Sequence, residues 1–194
     1  MKTTVTENPA SLGFSQERLE RISAWMDRYV NAQRDLDSGG SIEMDSIFRI
    51  FSMSKPLTSV AVMMLYEEGN FQLDDPISRF IPCLADPRVM VSNVDGQLQT
   101  RPASGPITIK QLLTHTAGFT YGWNEEFSLG EMYQQAAVDF WPNCGVLADV
   151  VERVSELPLL FEPGSRFGYG ISTDILGRFI EIISCLLYTY ARPS

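Results

Sequence analysis

Histidine occurs once, at His115, and cysteine three times, at Cys83, Cys144 and Cys185. One imidazole and three scattered thiols give no zinc-ligand spacing, so no metal is expected. The odd, distant cysteines and the polar residues 1–10, which lack a signal-peptide pattern, point to a reduced, cytoplasmic setting. The cysteines read as buried structural thiols before they read as nucleophiles. Basic residues are few: 15 Lys and Arg stand against 24 Asp and Glu, a net charge of −9. That disfavours nucleic acid and anionic membrane as partners, since both need clustered positive charge. No apolar run approaches the length of a membrane span. There is no P-loop and no G-x-S-x-G. Gly168-x-Gly170 has Thr173 where a dinucleotide fingerprint needs its third glycine. No cofactor is expected.

What is present is material for a core. Of the 194 residues, 44% are hydrophobic and 11% aromatic, enough to bury a domain. Leu19, Ile22, Met26, Tyr29 and Val30 mark a first helix at helical spacing. Ser15 is its N-cap, with Phe14 and Leu19 placed as a hydrophobic staple. A polar stretch over residues 31–45 ends at Gly39-Gly40. A second helix over about 52–68 carries Leu57, Val60, Ala61, Met64 and Leu65 on one face. Val62 and Met63 make it apolar nearly all round, which predicts a central, buried helix. Pro56 fixes its start and Gly69 its stop. Asp75 is placed to cap a short helix at 77–80. Residues 86–106, with Pro87, Gly96, Pro102, Gly105 and Pro106, read as one long loop. Thr108 and Gln111 form a capping box, and Gly118 ends the helix they open. Further helices follow over about 129–138 and from Leu147 to a stop at Pro158. A last one starts near Ser172 or Thr173. Phe119, Tyr121, Trp123, Phe127, Tyr133, Phe140 and Trp141 suit either an apolar pocket wall or plain packing.

Chemistry concentrates at Phe48-Arg49-Ile50-Phe51-Ser52-Met53-Ser54-Lys55-Pro56. Ser52 and Lys55 are three apart and share a helix face. S-x-x-K is a catalytic motif, although the pattern alone occurs by chance about once in a chain of this size. Ser52 lies at the start of the second helix, where unpaired N–H groups and the positive dipole end favour a developing oxyanion. The same field and desolvation disfavour a protonated Lys55. An ordinary lysine is neutral at pH 7 in only about one molecule in 2500. A lowering of about 3 units leaves roughly a quarter neutral and makes Lys55 a usable base. A capping serine beside a snorkelling lysine gives the same spacing. Tyr169, between Gly168 and Gly170, is placed either to relay a proton in a cleft or to pack in the core. His115 is open between a general base and a helix-end or hydrogen-bonding role, the second fitting its place before Gly118.

Several blocks now stand in order. They are residues 48–56, then Glu67-Glu68-Gly69 and Leu73-Asp74-Asp75-Pro76-Ile77, then residues 107–118, then Pro163-Gly164, Tyr169 and Asp174-Ile175-Leu176-Gly177. Together, over about residues 45–183, they resemble the β-lactamase-related serine hydrolases. The subgroup is the family VIII-type carboxylesterases, which are similar to class C β-lactamases and penicillin-binding DD-peptidases. The resemblance implies an α+β, β-lactamase/DD-peptidase-like fold in one partial domain over 1–183, followed by an unrelated tail over 184–194. It implies Ser52 as acylated nucleophile, Lys55 as its base and Tyr169 as proton relay, acting on a small ester or lactam. In the family's Y-x-N motif the third place here is Ile171, which fits an esterase better than a lactamase. Compared with that family, the strands before Gln33 and most of the later antiparallel sheet, with the third motif, are missing. The helical part remains, in a truncated form, and its apolar surface is expected to favour self-association. Three functions follow: a serine hydrolase, a catalytically silent truncated homologue, or an acyl-binding or penicillin-binding module.

Overall fold

The chain, here a computed structural model, is described at residues 15–30, 47–94, 97–124, 129–139 and 146–184. It divides into two compact units, Met1–Ile50 and Phe51–Ser194. In the first, α1 (Gln16–Val30) forms where its periodicity predicts. Ser15 caps it, accepting from the Arg18 N–H at 3.4 Å, and Glu17 pairs with Arg21 one turn on. Phe14, the stretch over 31–45 and the tail beyond Ser184 lie outside the described residues.

The second unit holds α2 (Ser54–Glu67), α3 (Ile109–Leu113), α4 (Gly130–Gln135), α5 (Leu147–Ser155) and α6 (Ser172–Ile183). Its two-stranded sheet pairs β1 (Arg88–Val94) with β2 (Gln97–Pro102). Among the described residues no helix is long and apolar enough to cross a membrane. The core gathers around α6. Phe179 is fully buried and meets Phe71 and Phe80 edge-on, at 4.9 and 5.0 Å between centroids. Helices α2, α3 and α5 all pack on α6.

The capping box forms as expected. Thr108 Oγ1 accepts from the Gln111 N–H while the Gln111 side chain accepts from the Thr108 N–H. Gly69 ends α2 with φ +78°. The end of α3 is set elsewhere than expected. His115 takes the left-handed turn, and Gly118 lies three residues on, where a Cβ would meet the Phe161 carbonyl and Leu159.

Five expectations are corrected. Residues 86–106 are not one loop. β1 and β2 pair antiparallel from Arg88↔Pro102 to Val94↔Gln97, with an irregularity between Met90 and Ser92. Buried Val89 anchors the hairpin, bonded through its neighbours to Leu159 (Met90 N–H to Leu159 O 2.9 Å, Leu159 N–H to Arg88 O 2.7 Å). Helix α2 is not buried: Val62 is its one buried residue, while Leu57, Val60 and Met64 are 58–64% exposed. Apolarity makes burial favourable, but a neighbour has to supply it. Asp75 does not cap the turn Ile77–Arg79; its carboxylate accepts from the Gln72 N–H and from Arg79 instead. Neither Ser172 nor Thr173 caps α6, whose N-cap is Ile171. Cys83 is exposed rather than buried, because Ile81 and Leu84 take the inward places of its short turn.

Candidate active site

Ser52 lies in a 3-10 turn, Phe51–Met53, that leads into α2. Lys55, three residues on in the first turn of α2, shares a face with Ser52. Lys55 Nζ donates to Ser52 Oγ at 3.2 Å. Phe51, just before the serine, has φ +44°, a strained value for a bulky residue. The turn enters α2 with no side-chain cap on its first amides.

Tyr169 arrives from 117 residues away, and its phenol lies 2.8 Å from Ser52 Oγ. Three backbone bonds lace its segment to residues 115–118: Leu160 N–H to Gly118 O, Gly164 N–H to Thr116 O and Gly168 N–H to His115 O, at 2.7–2.8 Å. The flanking glycines allow this approach. A Cβ on Gly168 would strike the Phe161 ring, and one on Gly170 the backbone of Phe119 and Thr120. All three residues read from the sequence, Ser52, Lys55 and Tyr169, are therefore brought together, with Ser52 Oγ between the amine and the phenol.

Aromatic rings surround the amine. Lys55 Nζ stands 5.0 Å from the Tyr169 centroid and 5.7 Å from that of Tyr121. Tyr121 stacks on Trp123 at 5.3 Å. A cavity of about 370 Å³ opens beside Ser52 and Lys55, lined also by Phe51, Thr58, Tyr121, Leu147 and Asp174.

The electrostatics follow from this packing. Burial, the largest influence on Tyr169, raises its pKa, but the bonds with Lys55 and Ser52 and the lysine's charge outweigh it and hold the phenol below its ordinary range. Burial pushes the Tyr121 phenol up, helped by Asp174. Burial also raises Asp174, against the opposing pull of Lys55. Burial and then the Lys55 charge lower His115.

Sequence reasoning gave Tyr121 only as one of seven aromatic wall residues and gave Asp174 no site role. Tyr121 does line the cavity, whereas Phe119 and Tyr133 are core. An acid in the first turn of α6 carried no signal beyond its fit to the helix dipole.

The sequence pattern of the Beta-lactamase family matches residues 22–187. The chain belongs to the Beta-lactamase family. Among its relatives there, esterase EstB of Burkholderia gladioli is 30% identical over 156 residues, covering 76% of this chain and 35% of EstB. Simvastatin synthase (LovD) of Aspergillus terreus superposes with a TM-score of 0.62 at 27% identity, over 81% of this chain and 39% of LovD. EstCE1, a hydrolase with promiscuous acyltransferase activity, gives 0.61 at 28%, over 78% and 37%. The chain thus spans little more than a third of the length of these relatives. Their shared β-lactamase and penicillin-binding-protein fold is represented here by its helices, with one two-stranded sheet among the described residues.

Proposed function

We propose that this chain carries the acylation centre of a serine esterase or acyltransferase. The observation that carries the reading is the placement of Ser52 Oγ, 2.8 Å from the Tyr169 phenol and 3.2 Å from Lys55 Nζ, beside a cavity. In the proposed sequence Ser52 Oγ attacks an ester carbonyl and its proton passes to Lys55 in its uncharged form, leaving the lysine charged beside Tyr169. Tyr169 relays that proton from Lys55 to the leaving alcohol as the carbonyl–alcohol bond breaks. Water or a second alcohol, giving its proton to Lys55, then attacks the acyl-enzyme carbonyl; the bond from Ser52 Oγ to the acyl group breaks, Oγ regains the proton through Tyr169, and an acid or a new ester leaves. The uncapped amides at the start of α2 and its dipole favour the oxyanion.

Support for an ester over a lactam comes from position 171. Ile171 is 1% exposed and offers the cavity no amide. The apolar lining from Phe51, Tyr121 and Leu147 suits an aliphatic or aromatic acyl group. The relatives' names, an esterase and an acyltransferase among them, agree with this class.

The alternatives to that reading are acylation without turnover and no acylation at all. A fluorescent phosphonate, a fluorescent penicillin and p-nitrophenyl butyrate separate these. The hydrolase reading expects phosphonate labelling together with ester turnover. Labelling without turnover supports an acyl-binding module, and absence of labelling a silent homologue.

A further inference from the structure

Helices α2 and α3 close with the same hydrogen-bond pattern. In α2, Gly69 takes φ +78°, and the N–H groups of Gly69 and Asn70 donate to the carbonyls of Tyr66 and Leu65 at 2.9 and 3.3 Å. In α3, His115 takes φ +53°, and the N–H groups of His115 and Thr116 donate to Leu112 and Gln111 at 3.3 and 2.8 Å. Both are Schellman ends. Glycine meets the positive φ without a Cβ clash; histidine does not. His115 carries a second penalty, since its Nδ1 is buried with no hydrogen-bond partner among the described residues. Glycine is the usual residue at such an end, as in α2. Strain of this kind at a site is a reason to ask what the side chain does there.

The ring lies against Tyr169, 5.0 Å between centroids and tilted by 36°, with Phe167 edge-on at 6.1 Å. The His115 carbonyl accepts the Gly168 N–H at 2.8 Å, the amide just before Tyr169. One residue therefore holds the tyrosine at two points, through its ring and through its backbone. Lys55 Nζ stands 5.0 Å from the same tyrosine ring. Lys55 is the charge acting on His115, and Tyr169 is the titratable group in contact with it.

We infer that His115 is a positioning residue: its neutral ring is the surface that holds the Tyr169 phenol over Ser52. The inference rests on the reading of Tyr169 as proton relay. A protonated ring would face Lys55 and is disfavoured there, in keeping with the lowered pKa.

Two experiments on the full 194-residue chain test it. The first measures phosphonate labelling rates. His115→Gly relaxes the helix end and keeps the bond to Gly168, so it folds without the ring. We expect its rate to fall about ten- to a hundredfold, the scale of a displaced catalytic group, with no loss in unfolding temperature. His115→Phe restores the stacking surface and is expected to label within about threefold of wild type. Wild-type labelling in His115→Gly overturns the inference.

The second uses the fact that the chain has one histidine, whose ring protons give a single NMR titration. We expect a midpoint below the ordinary value of about 6.5. Lys55→Met should raise it, and Tyr169→Leu should move the resonance as the stacked ring is lost. An ordinary midpoint insensitive to both variants overturns the inference. Failure of the wild type to label would sink the functional reading alone, and the NMR arm would then decide whether His115 packs on Tyr169.

Discussion

Helices α2 and α6 pack on each other, and α2 with the turn before it supplies Ser52 and Lys55, and α6 Asp174, to one cavity, yet the apolar faces of the two helices meet different surroundings. In α6, Ile175, Leu176 and Phe179 are at most 1% exposed, because α3, α5 and the Phe71 and Phe80 rings close over them. In α2 only Val62 is buried. Both sequences are rich in large apolar residues, and periodicity treats them alike. What separates them is whether other elements cover the outer face. The catalytic candidates Ser52 and Lys55 sit at the start of the less covered helix, Ser52 in the turn before it and Lys55 in its first turn, and the more covered helix lines the cavity with Asp174.

That comparison can be broken at several points. Phe179→Ala should cost the most, about 3–5 kcal/mol, as a large ring leaves a closed core. Chemical denaturation reads it, and near-neutral stability would mean that α6 is not the centre of the core. Tyr169→Phe should leave the fold intact and slow phosphonate labelling by about 10²- to 10⁴-fold, the usual weight of a positioned proton carrier. Thr108→Ala removes one arm of the capping box and should cost about 1 kcal/mol in the same denaturation assay.

Acid titration gives a smaller effect. The folded chain holds His115 more neutral than the unfolded chain does. The unfolded state therefore binds the extra proton first, and stability falls as pH drops below about 6.5. The difference in unfolding temperature between pH 7 and pH 5.5 should be larger in wild type than in His115→Phe. Equal differences would remove the histidine from the account. Smallest of all, Leu57→Ser and Met64→Ser on the open face of α2 should change stability by less than about 0.5 kcal/mol. A large loss would show that this face is covered after all. Size-exclusion chromatography of the same pair reads whether the face drives self-association.

Local features were readable from the sequence because local chemistry decides them. Pro56 and Gly69 bracket α2, and Thr108 and Gln111 reciprocate as a capping box. Ser52 and Lys55 are also local, one turn apart. The Tyr169 contact spans 117 residues, so spacing left it open between cleft and core, and only the family resemblance singled it out. The hairpin was missed because Pro87, Pro102 and the polar residues between them outweighed a short signal. Asp95-Gly96 is the dipeptide that favours a two-residue turn, and it was the sequence signal available in that stretch. The openness of α2 was not legible from its own residues, since exposure is a property of the neighbours. Asp174 was hidden for a related reason. An acid in a first helical turn is ordinary, and its place in the cavity depends on α2.

The central claim is that Ser52, held between Lys55 and Tyr169, is the nucleophile. Peptide mapping by mass spectrometry after phosphonate treatment tests it directly. The account predicts the adduct on Ser52, labelling unchanged in Ser54→Ala and lost in Ser52→Ala. An adduct on Ser54 or elsewhere, with Ser52→Ala labelled as well as wild type, would contradict it.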